Sequence, residues 1–234
     1  MIRDKQQENY SFAYEEARLS VRPSQPKNLP VSYGLQPLGL DADRDALLYI
    51  PKSYKLNKPA PLVLMLHGAG GDAHGGLAPF LQFADAAGLI LLATSSRQKT
   101  WDMLYSEYGA DIAFIDEALA QTFSRVAIDP TRIAVEGFSD GASYALSIGI
   151  TNGDLFNHII AFSPGFMAPA SQHGQPRIFI SHGKMDSILS IEHCSRKIVP
   201  QLERAGYDLV YQEFNGFHTV PTDIASSALE WFGA

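Results

Sequence analysis

The sequence predicts an α/β chain in which a mostly parallel sheet of about eight strands carries helices on both faces. Three observations predict it. Short apolar runs alternate with longer helix-patterned ones through most of the 234 residues, as crossover connections between strands require. Several of the short runs are apolar almost throughout, the pattern of strands covered on both sides. Glycine-rich or polar loops follow the strand ends, where open α/β sheets keep their working sites.

In chain order, residues 1–28 are polar at the outset and show no clear pattern, so they are expected to form a poorly defined N-terminal extension to one domain spanning 1–234. Leu29–Leu38 and Asp45–Ile50 read as an antiparallel pair with Asp41-Ala42-Asp43 near the turn. Pro61–Leu66 and Leu89–Thr94 are nearly continuous apolar runs, hence buried strands, with a helix over Leu77–Ala87 between them. A helix over Gly109–Ser124 leads to a strand at Arg132–Glu136, and a helix over Gly141–Thr151 follows. Strands at His158–Phe162, Arg177–Ile180 and Leu209–Phe214, with helices at Ile191–Ala205 and Thr222–Phe232, complete the set. Right-handed crossovers distribute the helices over both faces.

The bulk numbers exclude several classes. A net charge of -7 argues against nucleic acid or an anionic membrane as partner. With one cysteine, Cys194, no intramolecular disulfide is possible; in a helix pattern, Cys194 reads as a packed, inert thiol. No run of about 18 apolar residues, the length that would cross a membrane, occurs. The polar start, Met1-Ile2-Arg3-Asp4-Lys5, lacks the apolar stretch of a signal peptide, so a cytoplasmic location is expected. Neither a His-x-x-x-His nor a paired-cysteine spacing occurs, so no metal is expected; no organic cofactor is expected either.

The most informative stretch is Gly137-Phe138-Ser139-Asp140-Gly141, which joins a predicted strand to a predicted helix. A serine on so sharp a turn is held in a strained conformation with its hydroxyl above the sheet. The flanking glycines are expected because strand and helix pass too closely for a Cβ at either position. Other strand ends carry His67-Gly68-Ala69-Gly70-Gly71, Asp186 within His182-Gly183-Lys184-Met185-Asp186, and His218 beside Gly216.

These residues resemble the α/β-hydrolase superfamily over almost the whole chain. The order Ser139, Asp186, His218 is similar to that superfamily's order of nucleophile, acid and base. The segment Ala127–Gly141 and the loop His182–Asp186 resemble the phospholipase/carboxylesterase branch, with its acyl-protein thioesterases and the related feruloyl esterase and polyhydroxybutyrate depolymerase-like enzymes. Departures are Leu189-Ser190 where Val-Pro is common, and Glu136 in the strand before the turn.

The resemblance implies a serine carboxylic-ester hydrolase working through an acyl-enzyme on small or medium-chain acyl or aryl esters, with a small-molecule ester as its partner. A thioesterase, a peptidase or amidase on the same triad, and a non-catalytic ligand-binding relative are the alternatives. Ser139 is the expected nucleophile and His218 the base. Asp186, rather than Asp208 or Glu213, is the expected orienting acid. The oxyanion donors are expected to be the N–H groups of Asp140 and Ala69, with Gly70 as the neighbouring alternative. His67 should brace that loop and His182 should pack. Trp101, Phe138 and Ile188 are the expected substrate-binding residues, within a wider apolar group of Tyr105, Tyr108, Phe166, Met167 and Phe217. A carboxylate in a central strand is costly to bury unpaired, so Glu136 is expected to meet a polar partner, such as a histidine on a neighbouring strand end.

Overall fold

The computed structural model describes residues 17–27, 30–56 and 58–233. Eight strands form one sheet: β1 (Gly34–Pro37), β2 (Ala46–Ile50), β3 (Ala60–Leu66), β4 (Ile90–Thr94), β5 (Ile128–Phe138), β6 (His158–Phe162), β7 (Arg177–Gly183) and β8 (Leu209–Phe214). Their spatial order is β1-β2-β4-β3-β5-β6-β7-β8. The pairs β1·β2 and β2·β4 are antiparallel and all others parallel. Among the described residues, six α-helices accompany them: α1 (Ala73–Leu77), α2 (Ala84–Ala87), α3 (Ala110–Arg125), α4 (Asp140–Thr151), α5 (Ser195–Arg204) and α6 (Thr222–Phe232). None of the described helices is long and apolar enough to cross a membrane.

Side-chain alternation along the central strands divides the core in two. Leu62, Leu64, Ile133 and Val135 face one side and pack with Ile115 and Leu119 of α3, Leu146 of α4 and Val199 of α5. Val63, Met65, Ala134 and Ile160 face the other, against Leu77 of α1 and Ile224, Ala228 and Phe232 of α6. Period-two alternation places Glu136 and Phe138 on this second side with Ala134.

Several boundaries differ from the sequence expectation. The helix expected over Leu77–Ala87 is broken into α1, a 3-10 turn at Leu81–Phe83, and α2. Pro79 lacks the N–H that a continuous helix would need. The same helix starts early because Asp72 accepts the Gly75 N–H at 2.9 Å, a side-chain cap. The β5 strand begins at Ile128, not Arg132, but its pairing with β3 slips between Ala60 and Leu62, so residues 129–132 bow out of the ladder. Before α5, the Ser190 carbonyl accepts from His193 and Cys194, forming a turn that delays the helix to Ser195. Cys194 is a buried free thiol at the helix cap, and burial raises its pKa.

The expected first strand, Leu29–Leu38, begins at Gly34, with 28–29 outside the described residues. Of the N-terminal extension, residues 17–27 are fastened to the helix layer. The backbone N–H groups of Ser20 and Val21 donate to Asp116 on α3 at 2.9 and 3.0 Å. Leu19 N–H donates to Asn152 beyond α4 at 2.8 Å. Residues 1–16 lie outside the described residues.

His158 opens β6 and is buried edge-on against the rings of Trp231 and Phe232, at 5.2 and 5.0 Å. Burial, reinforced by the guanidinium groups of Arg177 and Arg132, lowers its pKa from 6.5 to about 4. The unfolded chain therefore binds this proton before the folded one does. Stability is complete above about pH 6.5 and falls as pH drops towards about 4. By linkage the loss attributable to His158 is on the order of 2–3 kcal/mol. Urea midpoints of His158→Leu should depend less on pH across that window than those of the parent chain, and equal slopes would contradict the assignment.

Candidate active site

The geometry begins at the β5–α4 turn. Ser139 has φ 59° and ψ -121°, a left-handed conformation rare for a residue with a side chain. The turn is held by close packing. A Cβ on Gly137 would lie 2.2 Å from the Gly141 carbonyl oxygen, and one on Gly141 would lie 2.1 Å from that of Leu66. Both glycines are thus required by contact, as their positions in the sequence suggested. The Ser139 N–H is held by the Phe162 carbonyl of β6 at 2.9 Å.

Two further loops bring their side chains to this turn. His218, beyond β8, places Nε2 2.9 Å from Ser139 Oγ. Its Nδ1 stands 2.6 Å from Asp186 Oδ2 in the loop beyond β7. The other oxygen of Asp186 accepts the N–H groups of Ile188 and Leu189 at 2.9 and 2.8 Å. Burial raises the pKa of this carboxyl, but the His218 bond and the two backbone donors outweigh it and hold the group below its ordinary value. The residue therefore stands ionised beside the imidazole, while Asp208 and Glu213 are engaged elsewhere, with Arg177 and Arg196.

The sequence reading missed how this acid is supported. His182, expected only to pack, is fully buried, and its Nε2 lies 3.3 Å from Asp186 Oδ2 and 2.7 Å from the Leu189 carbonyl. A carbonyl only accepts, so Nε2 carries the hydrogen, and Nδ1 then accepts from Ser195 Oγ at 2.6 Å. Burial lowers the His182 pKa, keeping the ring neutral. The available signal was the four-residue spacing of His182 and Asp186.

On the opposite side of the turn, the His67–Gly71 loop follows β3. His67 accepts the Ser96 N–H on Nε2 at 2.9 Å, so Nδ1 carries the hydrogen and donates to the Gly68 carbonyl at 2.7 Å. This is a neutral ring bracing the loop, and burial lowers its pKa. Arg44 adds a clamp by donating to the Gly71 carbonyl at 2.8 Å. Gly70 donates its N–H to the Lys99 carbonyl at 2.6 Å and is not free for a ligand. The N–H of Ala69 donates to no acceptor among the described residues. The N–H of Asp140, first residue of α4, has no intrahelical acceptor. The Asp140 side chain is turned away to accept from Thr100 at 2.8 Å.

Besides Gly70, which the Lys99 carbonyl removes as an oxyanion donor, two expected roles need correction. Trp101 is fully buried, stacked on Tyr144 at 5.0 Å and donating its indole N–H to the His67 carbonyl at 3.0 Å. It is scaffold beneath the loop and offers no face to a substrate. Glu136 is 1% exposed, and neither carboxyl oxygen has a hydrogen-bond partner among the described residues. The expected polar partner is absent because neighbours on its face, Met65 and Ile160, are apolar. Burial raises its pKa well above the ordinary carboxyl value.

Phe138 is half-buried, its ring 4.7 Å from that of His218. Ile188 is 70% exposed on the Asp186 loop. Phe166, Met185 and Phe217 are exposed on the loops beyond β6, β7 and β8, while Tyr108 is tied by its hydroxyl to the Ala168 carbonyl at 2.6 Å.

A family model described as Phospholipase/Carboxylesterase matches residues 107–218, a span that holds Ser139, Asp186 and His218. Feruloyl esterase C of Emericella nidulans is 24% identical over 157 residues, 64% of this chain and 57% of that protein. The match thus spans little more than half the length of that curated relative. Among solved structures, esterase PE8 superposes with a TM-score of 0.64 at 24% identity, covering 80% of this chain and 98% of that one. The phospholipase/carboxylesterase of Dyadobacter fermentans gives 0.62 at 18% identity, covering 93% and 100%. With the sheet order and the strained serine turn already in place, these likenesses give the chain the α/β-hydrolase fold and a resemblance to the phospholipase/carboxylesterase branch.

Proposed function

We propose that the chain is a serine carboxylic-ester hydrolase acting through an acyl-enzyme on small or medium-chain acyl or aryl esters. The observation that carries this reading is the unbroken relay from Ser139 Oγ through His218 to Asp186, at 2.9 and 2.6 Å, on a strained turn. A serine hydroxyl is a weak nucleophile at neutral pH and becomes competent when a base takes its proton as it attacks. His218 Nε2 accepts that proton, and ionised Asp186 fixes the ring's tautomer and stabilises the imidazolium. Negative charge gathering on the carbonyl oxygen is met by the N–H groups of Ala69 and Asp140, each worth about 3 kcal/mol in such sites. His218 then passes its proton to the departing alcohol, leaving the acyl group on Ser139. Water, deprotonated by the same imidazole, releases the acid and restores the serine.

The exposed apolar side chains Phe166, Ile188 and Phe217 on the surrounding loops suit an apolar acyl or aryl group. The esterase names of the relatives support the same chemistry. Purified chain should release p-nitrophenol from the acetate and butyrate esters far faster than buffer alone. Release at the buffer rate would overturn the reading.

A further inference from the structure

Glu136 carries a cost that the relay does not explain. A carboxyl buried without a hydrogen bond loses its water and regains nothing. An apolar residue would suit its strand better, since Met65 and Ile160 flank it on the neighbouring strands. Yet packed core is not all that surrounds Glu136, although its two oxygens are nearly closed off by protein. It lines a cavity of about 360 Å³ between the His67 loop, α1 and the start of α6. His218, Phe138, Gln82, Thr219 and Thr222 line the same cavity.

We propose that this cavity receives the alcohol part of the ester, and that Glu136 recognises a neutral hydroxyl group on it. The inference rests on the esterase reading above and names the substrate feature that the site selects. The position follows from the chemistry. His218 must deliver its proton to the leaving oxygen, so the alcohol departs beside the imidazole, and that ring forms one wall of the cavity. The ligand class follows from the lining. With its pKa raised by burial, Glu136 stands as the neutral acid, one O–H donor with acceptor oxygens remaining. A hydroxyl group both gives and takes a hydrogen bond and satisfies that pair. Gln82, Thr219 and Thr222 add neutral polar groups to the lining, and Phe138 provides an apolar wall for the carbon chain.

The test compares ethyl acetate with 2-hydroxyethyl acetate, which share an acyl group and differ by one hydroxyl on the alcohol. The parent chain should favour the hydroxylated ester in kcat/KM. Glu136→Gln, a neutral isostere with donor and acceptor, should keep that preference within about threefold. Glu136→Leu should reduce it roughly tenfold, the value of one buried hydrogen bond. An unchanged preference in Glu136→Leu would overturn the proposal.

Saturation-transfer NMR of 2-hydroxyethyl acetate on Ser139→Ala separates the two claims, because it needs no turnover. Signal at the hydroxyethyl protons should fall several-fold when Glu136→Leu is added; an undiminished signal counts against the pocket. Should the parent hydrolyse neither ester while that signal remains Glu136-dependent, the esterase reading fails and the pocket stands.

Discussion

Ser139→Ala is expected to lower kcat/KM for p-nitrophenyl butyrate by a factor on the order of 10⁵ to 10⁶, leaving the fold intact. Removing a nucleophile that acts as one unit with its base abolishes nearly all the rate that the unit supplies. What survives comes from the oxyanion donors and binding. Folding should be spared for a structural reason. The Ser139 hydroxyl is bonded to His218, whereas the turn is fastened by the Ser139 N–H to Phe162 and by the close passage of Gly137 and Gly141. None of these involves the hydroxyl. Thermal unfolding within a degree or two of the parent, together with the lost rate, is the predicted pair of results. A variant that retained more than about a hundredth of the activity would remove Ser139 from the mechanism.

Asp186→Asn should cost about 10⁴ in kcat. The carboxylate accepts on both oxygens: Oδ2 faces His218 Nδ1 at 2.6 Å, and Oδ1 takes the N–H groups of Ile188 and Leu189. An amide has one accepting oxygen. If that oxygen keeps the two backbone donors, the NH₂ group faces His218 and forces Nδ1 to accept. The imidazole hydrogen then moves to Nε2, where the serine proton should have gone. His182 does not restore the geometry, because it carries a hydrogen on Nε2 and is committed to the Leu189 carbonyl and Ser195. Activity should recover partially at alkaline pH, where hydroxide can do the work of the lost base. Loss of less than tenfold would mean that His218 is oriented by something other than Asp186.

Much of this was legible in the sequence because it is encoded locally. Continuous apolar runs such as Pro61–Leu66 announce strands covered on both faces, and Gly137-x-Ser139-x-Gly141 announces a turn in which two backbones nearly touch. The loops carrying Asp186 and His218 follow their strands at the same end of the sheet, so position alone singled them out. What remained hidden depends on contacts between distant segments. Trp101 reads as a pocket aromatic on the catalytic side, and only the assembled fold slides it between His67 and Tyr144. His182 reads as packing, yet the return of Leu189 and Ser195 makes it a support for Asp186. Glu136 was recognisable as anomalous, but its missing partner and adjoining cavity follow from the placement of α1 and α6. Helix breaks such as that at Pro79 were in principle readable; the apolar periodicity across them masked the proline.

The most direct test of the account is reaction with a fluorophosphonate, which captures a serine only where a base activates its hydroxyl. The labelled chain should carry a single phosphonyl adduct, located by peptide mass on Ser139, with no adduct on Ser139→Ala and a much slower one on His218→Ala. An unlabelled parent chain, or an adduct on a different serine, would contradict the proposed relay at its first step.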